Sequence, residues 1–230
     1  MTSFVKICGL STPDTLSAAL DAGADMVGFV RFARSPRHLG LNLGRDLSLM
    51  AKGRAERVLL VVDPDDRDLD EALLAIEPDV VQLHGVETPE RAAAIRARYG
   101  LPVMKAIGIE SAADLAGMAL YRGAADRILL DAKPPRGSDR PGGNGAAFDW
   151  HLLDGFAARA ALDPGLDIVL SGGLTPDNVA EAVATTGLRA VDVSSGVETR
   201  PGEKDPSRIT AFIRAARAAF ASAEQRRRVA

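Results

Sequence analysis

The chain has 230 residues, 47% hydrophobic and 26% charged, so it carries apolar material for a full core and does not read as disordered. A formal net charge of -3 and a pI of about 5.7 leave no global positive field to hold a nucleic-acid backbone. The N-terminus passes from Met1 straight into a strand-like run, and no apolar stretch approaches the ~20 residues of a membrane helix, so neither export nor a membrane is expected.

Short β-branched or Leu-rich runs alternate with longer Ala-rich amphipathic stretches, the pattern of strand–helix units around a parallel sheet. The strand candidates are Phe4 to Cys8, Met26 to Val30, Val58 to Val62, Val80 to Leu83, Val103 to Ile107, Arg127 to Leu130, Asp167 to Leu170 and Ala190 to Val193. The helical stretches that follow them are Pro13 to Ala22, Leu43 to Lys52, Leu69 to Ile76, Pro89 to Tyr99, Ala112 to Tyr121, Trp150 to Ala161, Pro176 to Thr186 and Pro206 to Ala223. Thr12-Pro13-Asp14, Thr88-Pro89-Glu90 and Thr175-Pro176-Asp177 each offer a hydroxyl cap, a proline for the first helical position and an early acid. The basic run Arg226-Arg227-Arg228 closes the last helical pattern, where cations complement the helix dipole.

Eight such units make the expected fold an α/β protein, a single (β/α)8 TIM barrel over residues 1–230, with 221–230 the basic tail of its last helix. A doubly wound open sheet is disfavoured, because the first strand leads into Cys8-Gly9-Leu10-Ser11-Thr12-Pro13 and not into a glycine-rich dinucleotide turn. Two connections are long, Arg31 to Asn42 and Asp131 to Asp149, and both follow the carboxyl ends of strands, where barrels build their active sites. The second is rich in Gly and Pro, a composition that a disordered insertion would also have.

Strand seven ends in Ser171-Gly172-Gly173-Leu174 and strand eight in Ser194-Ser195-Gly196. In barrels these two loops commonly hold a phosphate, so a small phosphorylated substrate is expected to meet Gly172, Gly173, Ser194, Ser195 and Gly196. Cys8 ends strand one and is either a small buried hydrophobe or a base. As a base it needs positive charge nearby to favour the thiolate, and Lys6 and Lys105 are the candidate sources. Asp131, after the apolar run Ile128-Leu129-Leu130, opens the sixth loop as either a general acid or a carboxylate that caps the strand end or pairs with Lys133. Asp192, inside the apolar eighth strand, needs a partner, whether substrate hydroxyls or a salt bridge.

His84 ends strand four facing the mouth, while His38 lies beside Arg37 and His151 begins a helix; the three are too scattered for a metal site. Arg37, in Ser35-Pro36-Arg37, is either a surface arginine or a bidentate clamp for a carboxylate. The single cysteine cannot form an internal disulfide, which points to the cytoplasm. No signature asks for a cofactor.

Lys6-Ile7-Cys8-Gly9, Ser35-Pro36-Arg37, Gln82-Leu83-His84-Gly85, Leu130-Asp131-Ala132-Lys133, Gly142-Gly143-Asn144-Gly145 with Phe148-Asp149-Trp150, Leu170-Ser171-Gly172-Gly173-Leu174 and Val191-Asp192-Val193-Ser194-Ser195-Gly196-Val197-Glu198 occur in this order. Together they resemble the phosphoribosylanthranilate isomerases, from strand one to strand eight. The resemblance implies an Amadori rearrangement of N-(5-phosphoribosyl)anthranilate in tryptophan biosynthesis, without metal or cofactor, by a monomer or homodimer. It implies that Asp131 is the general acid at the furanose ring oxygen and Cys8 the base at C2 of the sugar. It further implies that Arg37 faces the anthranilate carboxylate, that His84 and Asp192 contact substrate, and that the two glycine-bearing loops hold the phosphate. Asn144 stands where threonine is more often expected.

Other phosphosugar barrels fit less well by residue type. A pentose-phosphate epimerase would want histidines in a metal cluster, a histidine-pathway isomerase an aspartate in place of Cys8, and an indole-glycerol-phosphate synthase a further lysine and glutamate set with an N-terminal extension. A barrel that binds a phosphorylated ligand without turning it over is the reading from another class.

Overall fold

The computed structural model describes residues 3–134, 137–138, 141–143, 145, 147–154 and 166–229. Its eight strands are β1 (Phe4–Cys8), β2 (Met26–Arg31), β3 (Glu56–Val61), β4 (Val80–Leu83), β5 (Val103–Ile109), β6 (Arg127–Ala132), β7 (Asp167–Leu170) and β8 (Ala190–Val193). They close into one parallel barrel in chain order, with β1 pairing β8 in the register Phe4↔Ala190 and Lys6↔Asp192. This is the (β/α)8 barrel expected from the count of units.

Strand alternation divides the side chains between two cores. Val5 and Ile7 point outward into the large cluster under the helices, with Leu16, Phe29, Leu59 and Phe212. Phe4, Met26, Val58, Val80, Met104 and Leu129 fill the lower interior of the barrel. At the mouth lies a separate small cluster of Cys8, Val30 and Leu60. Between the two interior clusters sits a polar layer with fully buried Lys6 and Gln82 and nearly buried Asp192.

The helices are α1 (Pro13–Asp21), α2 (Leu41–Ala51), α3 (Asp66–Ile76), α4 (Pro89–Tyr99), α5 (Val179–Thr186) and α6 (Pro206–Val229). Thr12 and Thr88 cap α1 and α4 as expected, accepting from the backbone N–H of Thr15 and Arg91. The third expected cap fails. Asn178 Oδ1 accepts from the Thr175 N–H and Asn178 Nδ2 donates to the Gly173 carbonyl, so Thr175-Pro176-Asp177 is wrapped into a turn and α5 starts only at Val179. Helix α3 starts three residues earlier than expected, because Asp65 caps it by accepting from the Asp68 N–H.

One expected helix is a 3-10 segment, and of another only the opening turn lies within the described residues. The stretch Asp114–Tyr121 buries none of its residues, and the Asp114 carboxylate is spent on the N–H groups of Glu110 and Ser111, so no apolar face drives a full helix. The segment Trp150–Leu153 is a single 3-10 turn; the rest of the stretch expected to run to Ala161 lies outside the described residues, as does Asn144. Helix α6 continues past Ala223 to Val229, while the side chains of Arg227 and Arg228 lie outside the described residues. The sequence reading missed a short hairpin, β9 (Glu198–Arg200) with β10 (Glu203–Lys204), between strand eight and the last helix.

Candidate active site

The carboxyl ends of the strands open into a pocket lined by Cys8, Arg37, His84, Asp131, Gly172, Gly173, Asp192, Ser194 and Ser195, together with Gln82 and Ser171. Of the residues expected to act on or bind the substrate, Gly196 does not line it. A Cβ on Gly196 would stand 1.8 Å from the Leu174 carbonyl oxygen, so this glycine lets the loop after β8 lie directly on the loop after β7. Gly172 and Gly173 both take left-handed backbone, φ 80 and 66, and among the described residues neither donates its N–H within the protein. Successive amides held this way form a concavity suited to an anion.

Cys8 points into the mouth because it shares the inward face of β1 with Phe4 and Lys6. Gly28 on the neighbouring strand makes room for it, since a Cβ there would come within 2.8 Å of the Cys8 sulfur. Of the two cations expected to favour the thiolate, only Lys6 is in position. Lys105 faces outward, where its ammonium donates to Glu87 at 2.8 Å and to the Gly85 carbonyl at 2.7 Å. Lys6 donates to Asp192 at 2.7 Å. Burial pushes the Cys8 thiol up and the nearby Asp192 charge adds to this; Lys6 and, more weakly, Lys204 oppose it without reversing the sign. The lowered thiol expected of a base is therefore not what the free site provides.

Asp131 lies on strand β6 and not in the loop beyond it, because the β5–β6 pairing continues through Gly108↔Asp131 and Ile109↔Ala132. Its Oδ1 accepts from the Ala132 N–H at 2.9 Å and its Oδ2 sits 3.1 Å from His84 Nε2. Lys133 is not its partner; that ammonium turns away to Glu110 and Asp114 at 3.3 and 3.5 Å. His84 Nδ1 is 3.1 Å from Gln82 Nε2, so Gln82, His84 and Asp131 form a chain. With the amide as drawn, Gln82 donates to Nδ1 and the Nε2–H of His84 donates to a carboxylate on Asp131. Gln82 Oε1 is buried without a partner among the described residues, and turning the amide over would let it accept from Nδ1–H while His84 Nε2 accepts from a protonated Asp131. The same heavy atoms thus serve both protonation states of Asp131.

Arg37 is 4% exposed, which removes the surface reading. It does make a bidentate grip on a carboxylate, but that of Glu198, at 2.6 and 2.8 Å. Asp192 has the salt bridge that was one of its two open readings: it pairs with Lys6, and it also accepts from Ser171 Oγ at 3.1 Å and lines the pocket. Sequence reasoning gave no role to Glu198, Lys204, Ser171 or Gln82. Gln82, Ser171 and Glu198 carried a signal, as members of quoted motifs, Lys204 carried none, and the hairpin that carries Glu198 and Lys204 was itself unforeseen. Among the described residues no group of three or more His, Cys, Asp or Glu side chains is placed to hold a metal, and no helix is long and apolar enough to cross a membrane.

Comparison with known proteins agrees with this geometry. The family described as N-(5'-phosphoribosyl)anthranilate (PRA) isomerase matches residues 5–215. A relative from Azorhizobium caulinodans named N-(5'-phosphoribosyl)anthranilate isomerase is 56% identical, covering 97% of this chain and 95% of its own length. A solved phosphoribosyl anthranilate isomerase in complex with reduced 1-(o-carboxyphenylamino)-1-deoxyribulose 5-phosphate superposes with a TM-score of 0.79 at 33% identity, over 94% of this chain and all of that one. A structure of mutually generated monomers of the dimeric enzyme from Thermotoga maritima gives 0.78 at 34% identity, with the same coverage. The chain belongs to the N-(5'-phosphoribosyl)anthranilate isomerase family.

Proposed function

We propose that this chain, as one barrel domain over residues 1–230, converts N-(5'-phosphoribosyl)anthranilate into 1-(o-carboxyphenylamino)-1-deoxyribulose 5-phosphate in tryptophan biosynthesis, with Asp131 as acid and Cys8 as base. The observation that carries the reading is that these two side chains, three strands apart around the closed ring, line one pocket beside the loops after β7 and β8.

The Asp131 carboxyl gives its proton to the furanose ring oxygen as the C1–O bond breaks, leaving a Schiff base between C1 and the aryl nitrogen. Cys8, as thiolate, takes the proton from C2, and the electron pair of that C–H bond moves into an enolamine. Protonation at C1, with loss of the proton from the C2 hydroxyl, then tautomerises the enolamine to the ketone. Because burial raises the Cys8 thiol, the thiolate is a minor form of the free site, and Lys6 is the cation that stabilises it. Both proton transfers are made by side chains, so the reaction asks for no cofactor.

The amides of Gly172, Gly173, Ser194 and Ser195 would hold the phosphate, with Gly196 packing the two loops together. Arg37 would meet the substrate carboxylate through Nη1, which has no partner among the described residues. Asp192 would contact the opened sugar; His84 would act chiefly through Asp131. Anchoring both ends of the substrate supplies the orientation that makes two ordinary acid–base groups effective. We place the protein in the cytoplasm, as a monomer or homodimer.

The direct test follows the fluorescence of freshly made phosphoribosylanthranilate on adding the purified protein. A catalysed loss of signal supports the proposal. A folded protein that binds the reduced product analogue without consuming substrate would favour a ligand-binding barrel instead.

A further inference from the structure

The Arg37 side of the pocket is organised by Glu198, the first residue of β9. Its Oε1 accepts from Arg37 Nε and from Lys204 Nζ, both at 2.6 Å. Its Oε2 accepts from Arg37 Nη2 at 2.8 Å and from the Gly202 N–H at 3.2 Å. All three side chains are more than nine-tenths buried. Burial works against the Glu198 carboxylate, yet its hydrogen bond from Arg37 and the charge of Lys204 outweigh this and hold it below the usual range. The hairpin itself is pressed onto the loop that carries Arg37: Gly202 has φ 88, and a Cβ there would stand 2.6 Å from the Pro36 carbonyl oxygen.

A guanidinium is a rigid planar fork, so fixing one edge fixes the others. Glu198 takes the Nε and Nη2 edge, and Nη2 also donates to the Gly143 carbonyl at 3.2 Å. Nη1 is left facing the place a Gly143 side chain would occupy, 2.5 Å from that absent Cβ. The direction in which Nη1 points is therefore set by a residue that need not touch substrate.

We infer that Glu198 is a positioning residue that aims the Nη1 of Arg37 at the carboxylate of the substrate's aryl ring, and so confers selectivity for a carboxylated aryl amine. Lys204 and Gly202 anchor Glu198 from behind. The inference rests on the reading of Arg37 proposed above.

The test compares two probes, the reduced product analogue and its phenylamino counterpart without the ring carboxylate, by calorimetry on the parent and on Glu198→Gln. Glutamine keeps an oxygen for Lys204 and Nε but sets an N–H against Nη2, which breaks the fork. The expected result is a Kd for the carboxylated probe raised about tenfold, the scale of one charge-assisted hydrogen bond, with the other probe changed less than about twofold. In turnover KM should rise more than kcat falls. Glu198→Asp keeps the charge but retreats by one methylene; it should move the same ratio in the same direction by a smaller factor, and it serves if the glutamine variant does not fold. A ratio of the two Kd values equal to the parent's in the folded variant overturns the inference. A parent that binds both probes alike overturns the reading of Arg37 instead.

Discussion

Lys6 and Asp192 form an ion pair of 2.7 Å in the interior of the barrel, on the two strands that close the ring and one inward position below Cys8. Neither charge would survive there alone. Their balance sets the thiol above them: Asp192 holds Cys8 up, in step with burial, and Lys6 draws it down. Replacing Asp192 by Asn removes the first influence and leaves the second. In Asp192→Asn the Cys8 thiol is expected to titrate lower than in the parent, where it lies above the ordinary 9.0. Iodoacetamide labelling of this sole cysteine against pH reads the change directly. Labelling of the parent should be slow near neutrality and faster in the variant at the same pH; an unchanged profile would remove Asp192 from control of the thiol.

Gly28 is expected to be required for the position of the sulfur and not for the barrel. A Cβ at residue 28 would meet Cys8 Sγ at 2.8 Å, and the thiol has the open mouth to move into. Gly28→Ala should therefore fold with an unaltered circular dichroism spectrum while kcat/KM falls by up to about 10²-fold, the scale of an ångström's misplacement at a reacting group. Parental kinetics in this variant would show that the sulfur's position is not critical.

Gly196 presents the opposite case. Its would-be Cβ lies 1.8 Å from the backbone oxygen of Leu174, which cannot swing aside as a side chain can. Gly196→Ala should cost about 2 kcal/mol or more in urea unfolding, the usual range for overpacking at a tight contact. Binding of the product analogue should weaken with it. A variant as stable as the parent would mean the two loops separate easily.

Most of this site was legible because barrel chemistry concentrates at strand ends, and strand ends are read from alternating apolar runs. Cys8, His84 and Asp192 sit where that reading put them. Asp131 was assigned to a loop because the apolar run ends at Leu130; its place on β6 depends on the pairings Gly108↔Asp131 and Ile109↔Ala132, which one strand's composition does not reveal. The partners of the charged groups were not legible at all. Lys6 and Lys105 are both lysines in strands, and only the inward or outward parity of each decides that one meets Asp192 under the thiol and the other meets Glu87 outside the ring. Glu198 was hidden for a similar reason: its contact with Arg37 spans 161 positions and depends on a hairpin too short to leave a periodic signal.

The central claim is that Cys8 and Asp131 divide the two proton transfers, and paired kinetics and binding on Cys8→Ala and Asp131→Asn test it most directly. Each variant is expected to lose a factor of about 10² or more in kcat, the contribution of a positioned acid or base, while the Kd of the reduced product analogue stays within about threefold of the parent's. Turnover at the parental rate by either variant would contradict the division of roles between them.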